Sequence, residues 1–139
     1  MLRINHLILG TTDVAKSQEF YVSLLGFQVL GSFIDTGTGN EGSVLRYSDP
    51  ASSEYLEVLL VPFTPERLPS PQHIAFEVGP ERFESLYQRA RQLGMKVRPN
   101  PPLDSAEGPP GVLEVVGYRF RNFYVLDPMR INIEVMTRV

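Results

Sequence analysis

The chain repeats itself, and that constrains its fold more than any other feature. "HLIL" followed by "LGFQV" in the first half matches "HIAF" followed by "LGMKV" in the second. The spacing holds as well: 20 residues separate His6 from Gly26 and 21 separate His73 from Gly94. Each half ends on a similar apolar run, "YLEVLLV" against "INIEVMT". Self-similarity over this length means two copies of one supersecondary unit, neither of which can bury its apolar face alone.

The order of elements within a copy follows from local pattern. "RINHLILG" reads as a short buried strand closed by glycine. Thr12 or Asp13 can cap a helix whose apolar residues Val14, Phe20, Tyr21, Leu24 and Leu25 recur at helical spacing, with Gly26 as its left-handed stop. Three strand candidates follow: "FQVLGSFI", "SVLRYS" and "YLEVLLVP". The second copy starts at "QHIAFEV" and continues into a helix opened by Pro80 and stopped by Gly94, with Phe83, Leu86, Tyr87, Ala90 and Leu93 as its stripe. "MKVR", a stretch within "VLEVVGYRFRNFYVLD", and "INIEVM" supply its last three strands. The expected architecture is therefore α+β: two βαβββ modules, at about residues 1–65 and 70–139, in a single domain spanning 1–139.

Composition narrows the function. A chain of 139 residues with 42% hydrophobic and 21% charged content can bury a core, so disorder is excluded. A net charge of -3 argues against nucleic-acid or membrane-surface partners and leaves small molecules as the expected ones. With no cysteine, neither a disulfide nor a thiolate ligand or nucleophile is available. Arg3, Asn5 and His6 interrupt the apolar N-terminus, and no apolar run is long enough to span a bilayer, so a cytoplasmic protein is expected.

The residues that carry chemistry are few. Both histidines, His6 and His73, fall in the first strand of their copies, and Glu57 and Glu134 are the polar residues of the last strands. An isolated carboxylate in an apolar strand normally neutralises, pairs or binds a cation. Alternation puts Tyr55, Glu57 and Leu59 on one face and Leu56, Val58 and Leu60 on the other, so the carboxylate can face a cavity while the second set packs on a helix. Two imidazoles and two carboxylates are the donor types of a divalent metal site for Zn, Ni, Co, Mn or Fe(II). By contrast, "GTGNEG" spells G-x-G-x-x-G but is followed by the strand-like "SVLRYSDP", so it reads as an inter-strand loop. "PNPPLDSAEGPPG" reads as a long loop. Arg119 and Arg121 read as solvated strand arginines.

The segments "INHLILGTTDVAKSQEFYVSLLGFQVL", "QHIAFEV" and "FYVLDPMRINIEVM" resemble the recurrent signatures of the vicinal oxygen chelate superfamily, which includes glyoxalase I, extradiol dioxygenases and bleomycin-binding proteins. The resemblance implies an open cup-shaped mixed β-sheet with flanking helices, built from the paired modules around a divalent metal. At ligand positions the chain is most similar to glyoxalase I, implying His6, Glu57, His73 and Glu134 as metal ligands. It likewise implies a lyase or isomerase acting on a small vicinal-oxygen substrate such as a hemithioacetal, through a metal-bound enediolate. Glu57 or Glu134 would be the proton-transfer base, and the assembly a homodimer. An extradiol-type Fe(II) dioxygenase and a metal-free small-molecule-binding protein are the alternatives. The chain departs from the family at Asp127, Pro128, Met129 and Arg130, where an Asp-Pro-Asp-Gly turn is common, and in a longer segment from Asn100 to Gly117.

Overall fold

The computed structural model of the chain describes residues 5–50, 53–68, 72–99 and 106–139. It divides into two compact units, Met1–Ser70 and Pro71–Val139. Each contains one four-stranded mixed sheet and one main helix, in the order β-α-β-β-β.

In the first unit β1 (His6–Thr11), β2 (Gln28–Ile34), β3 (Glu41–Ser48) and β4 (Tyr55–Pro62) form a sheet in the order β1-β4-β3-β2. β1 and β4 run parallel and the other pairs are antiparallel. Helix α1 (Val14–Phe20) starts at Asp13, whose side chain accepts from the Lys16 backbone N–H and so satisfies a donor the helix leaves unpaired. A π-helical turn over Tyr21–Leu25 extends it, and Gly26 at φ 79° ends it. The apolar stripe lands on the sheet: Tyr21, Leu24, Leu45 and Leu60 are fully buried, each leucine contributing roughly 1.5–3 kcal/mol through the water it sheds. "GTGNEG" turns between β2 and β3, with a strand and no helix after it. The phosphate-binding reading therefore fails for want of a helix N-terminus.

The second unit repeats the scheme with β5 (His73–Glu77), α2 (Pro80–Gln92), β6 (Gly111–Val115), β7 (Tyr118–Leu126) and β8 (Asn132–Arg138), in sheet order β5-β8-β7-β6. Phe83, Leu86 and Ala90 of α2 are buried with Phe123, Ile133 and Val135, and the Phe83 and Phe123 rings meet edge-on at 5.3 Å. Leu93, expected in this stripe, is largely exposed.

Two strand expectations need correction here. "MKVR" forms no strand; only Arg98 makes a single antiparallel bridge, to Tyr124. The missing strand comes from "VLEVVGYRFRNFYVLD", which folds into a hairpin rather than one strand, with Val116 at φ 50° and Gly117 at φ 78° as its two-residue turn. Both turn residues have positive φ, the geometry that joins twisted antiparallel strands most directly. Within the long loop expected over 99–111, residues 100–105 lie outside the described residues, and Gly108 N–H bonds the Val97 carbonyl. Among the described residues no helix is long and apolar enough to cross a membrane.

Candidate metal and substrate site

The four ligand-type residues stand as one His–Glu pair in each unit. In the first unit the parallel register sets His6 beside Glu57, and the antiparallel register sets Arg46 on the other side of Glu57. The Glu57 side chain is only 18% exposed, so its charge needs a partner. Arg46 supplies it, donating Nε–H at 3.1 Å and Nη2–H at 2.5 Å to Oε1 while its guanidinium lies 4.4 Å from the Tyr55 ring centroid. His6 is exposed, and its Nδ1 lies 2.8 Å from Asn5 Oδ1. Because an amide oxygen can only accept, Nδ1 is the donor in this contact.

In the second unit Glu134 is 4% exposed, and both of its carboxylate oxygens have polar partners. Oε1 accepts from Tyr124 Oη at 2.7 Å and from Asn122 Nδ2 at 2.9 Å; Oε2 lies 2.9 Å from His73 Nε2. Tyr124 Oη also accepts from Asn122 Nδ2 at 2.9 Å. Burial first, and the adjacent Glu134 carboxylate second, push the Tyr124 phenol up from its ordinary value, so it stays protonated as a donor. The turn before β8 fixes where Glu134 falls: buried Asp127 accepts from the Met129 and Ile131 N–H groups at 2.8 Å each. Arg130 takes φ 64°, the left-handed place in that turn.

The two pairs are not in the same register. Glu57 faces His6, whereas Glu134 faces Ala75, and His73 faces Asn132, two positions earlier on β8. The carboxylates are equivalent by their neighbours on β3 and β7, Arg46 and Tyr124, so the histidines are offset by two residues. A slip of two keeps a side chain on the same sheet face, and His73 still reaches Glu134. Among the described residues no three His, Asp or Glu side chains gather closely enough to hold a metal ion.

Residues 3–135 match the Glyoxalase/Bleomycin resistance protein/Dioxygenase superfamily. The chain belongs to that superfamily. It is 31% identical over 101 residues to the uncharacterized protein YwkD of Bacillus subtilis (strain 168), covering 69% of this chain and 75% of YwkD. Among solved structures it is similar to the oxidase ChaP-H2, with a TM-score of 0.68 and 23% identity over 99% of this chain and 94% of that one. It is also similar to TnmS3, an antibiotic binding protein from Streptomyces sp. CB03234, with a TM-score of 0.67 and 16% identity over 100% of this chain and 98% of that one. At these identities the structural likeness speaks for the fold alone. Glyoxalase-superfamily membership carries small-molecule binding as the common role; it leaves the reaction to the side chains present.

Three of those side chains were missed in the sequence. Arg46, Asn122 and Tyr124 each occupy a strand position opposite or diagonal to a glutamate. Asn122 had a signal available: asparagine is depleted in strands, and this one directly precedes two aromatic residues in "RFRNFYV". Of the two strand arginines, Arg121 lies over the Phe83 ring at 5.1 Å and 3.8 Å from Glu84, so it serves the helix packing. A cavity of about 520 Å³ in the first unit is lined by Thr12, Thr38, Asn40, Phe63, Thr64 and Arg67, none of them a ligand-type residue singled out above.

Proposed function

We propose that this superfamily member is a divalent-metal-dependent lyase or isomerase of the glyoxalase type, acting on a small substrate with neighbouring oxygens such as a hemithioacetal. One observation carries the reading: a buried carboxylate oxygen and an imidazole nitrogen, Glu134 Oε2 and His73 Nε2, face each other at 2.9 Å. Two donors about 3 Å apart can both reach one divalent ion at bonds of about 2.1 Å, so the pair would fit a cation. His6 fits too, because a ligating histidine donates its other ring N–H to an acceptor, as Nδ1 does to Asn5. The resemblance to the family supports His6, Glu57, His73 and Glu134 as the ligand set, and the ion when bound would polarise the substrate oxygens as a Lewis acid.

The side chains would then do the following. In the present geometry His73 Nε2 and Glu134 Oε2 share one hydrogen bond, and both atoms would have to be free of that proton to hold a cation. Glu57 or Glu134 would remove the carbon-bound proton of the hemithioacetal, the electron pair passing to the neighbouring carbonyl oxygen; the proton would be returned to that second carbon while the hydroxyl proton moves from the first oxygen to the second. The product is a 2-hydroxy thioester, with no net oxidation or reduction. Resemblance to the family is what supports a homodimer.

The test is conversion of a hemithioacetal, formed from a 2-oxoaldehyde and a thiol, by metal-loaded protein. Turnover that disappears on chelation and returns with added metal is expected. Turnover indifferent to chelation contradicts the reading.

A second reading rests on Arg46. Its guanidinium already neutralises Glu57, so this carboxylate has a partner without any metal. That favours a protein that binds a small molecule without transforming it. Tight binding of an aromatic or drug-like compound by protein that takes up no metal would select this reading over the first.

A further inference from the structure

Asn122 and Tyr124 form a closed arrangement around one oxygen of Glu134. Asn122 Nδ2 has two hydrogens, and it has two acceptors within reach: Tyr124 Oη and Glu134 Oε1, each at 2.9 Å. The single Tyr124 hydroxyl proton goes to the same Oε1 at 2.7 Å. All three residues are at least 95% buried. Oε1 therefore receives two fixed donors, while Oε2 is left to face His73.

The cost of this arrangement is visible. Asn122 Oδ1 is buried without a hydrogen-bond partner among the described residues, which an apolar side chain at the same place would avoid. What an apolar residue could not supply is the pair of N–H donors. The comparison with the first unit sharpens this: the position that holds Tyr124 beside Glu134 holds Arg46 beside Glu57. One glutamate is held by neutral donors and the other by a cation. A neutral holder fixes the carboxylate without cancelling its charge, which leaves that charge for a cation bound on the other oxygen.

We infer that Asn122 and Tyr124 are positioning residues for Glu134, holding Oε1 so that Oε2 alone is presented with His73 to a divalent cation. The inference rests on the metal-dependent reading above. Neither residue touches substrate or metal; each acts through the carboxylate.

Co(II) is the probe, because its visible d–d bands report how its ligands are arranged. Full-length wild type, Tyr124→Phe and Asn122→Leu are titrated with Co(II), and thermal unfolding of each checks that it is folded. The expected result is a Co(II) affinity lowered about 10- to 100-fold in both variants, the usual effect of losing an outer partner of a ligand, together with altered d–d bands. Tyr124→Phe removes one oxygen atom and keeps the test decisive if Asn122→Leu fails to fold. Folded variants with wild-type bands overturn the inference whatever their affinity, since Glu134 would then bind unchanged without its holders, and the metal-dependent reading would stand. Failure of wild type to bind Co(II) at all overturns that reading and this inference together.

Discussion

Glu57 and Glu134 begin as the same residue in two copies of one strand, and their surroundings make them different. Glu57 sits against a guanidinium, and Glu134 against a phenol and an amide. Both carboxylates stand out in the sequence, because a charge in an apolar strand demands a partner. The sequence did not reveal the partner, since Arg46, Asn122 and Tyr124 become neighbours only through strand register. For Glu57 the expected cation turns out to have a competitor in Arg46. Tyr124 yields a pH prediction. Its folded-state value lies above the ordinary phenol value near 10, so the stability linked to its proton is fully present below about pH 10 and is lost as pH rises further. Melting temperatures followed from pH 8 to above pH 10 should therefore fall less steeply in Tyr124→Phe than in wild type. Parallel curves would contradict the assignment.

At the scale of elements, legibility tracked how local the determining chemistry is. Asp13, Gly26, Pro80 and Gly94 marked the helix ends correctly because caps and left-handed stops are written in one or two residues. Register was less legible: a two-residue offset between His6 and His73 preserves the alternation of faces, so no pattern of apolar residues could expose it. The hairpin after β6 was hidden for a different reason. Its turn begins with Val116, a β-branched residue at φ 50° in place of the asparagine or glycine that signals such turns. Val116 is 90% exposed, so it gains nothing from packing in return for that strain. Val116→Asn should raise stability by about 1 kcal/mol, read from denaturant midpoints at unchanged slope. An unchanged or lowered midpoint would show that the turn carries no such strain.

For the whole molecule, the βαβββ repeat was the most legible feature of all, because two copies of one pattern test each other. It predicted the β-α-β-β-β order of elements within each unit, and the signature segments within it pointed to the superfamily that residues 3–135 match. The fold does not choose among chemistries: the solved structures it resembles include an oxidase and an antibiotic binding protein. That choice turns on whether the His–Glu pairs hold a metal. The direct measurement is the metal content of purified protein after loading with Zn, Ni, Co, Mn or Fe(II) and removal of excess ion. A stoichiometric divalent ion in wild type, lost in both His73→Ala and Glu57→Ala, is the predicted result. No retained ion in wild type, or full occupancy in both variants, would contradict it.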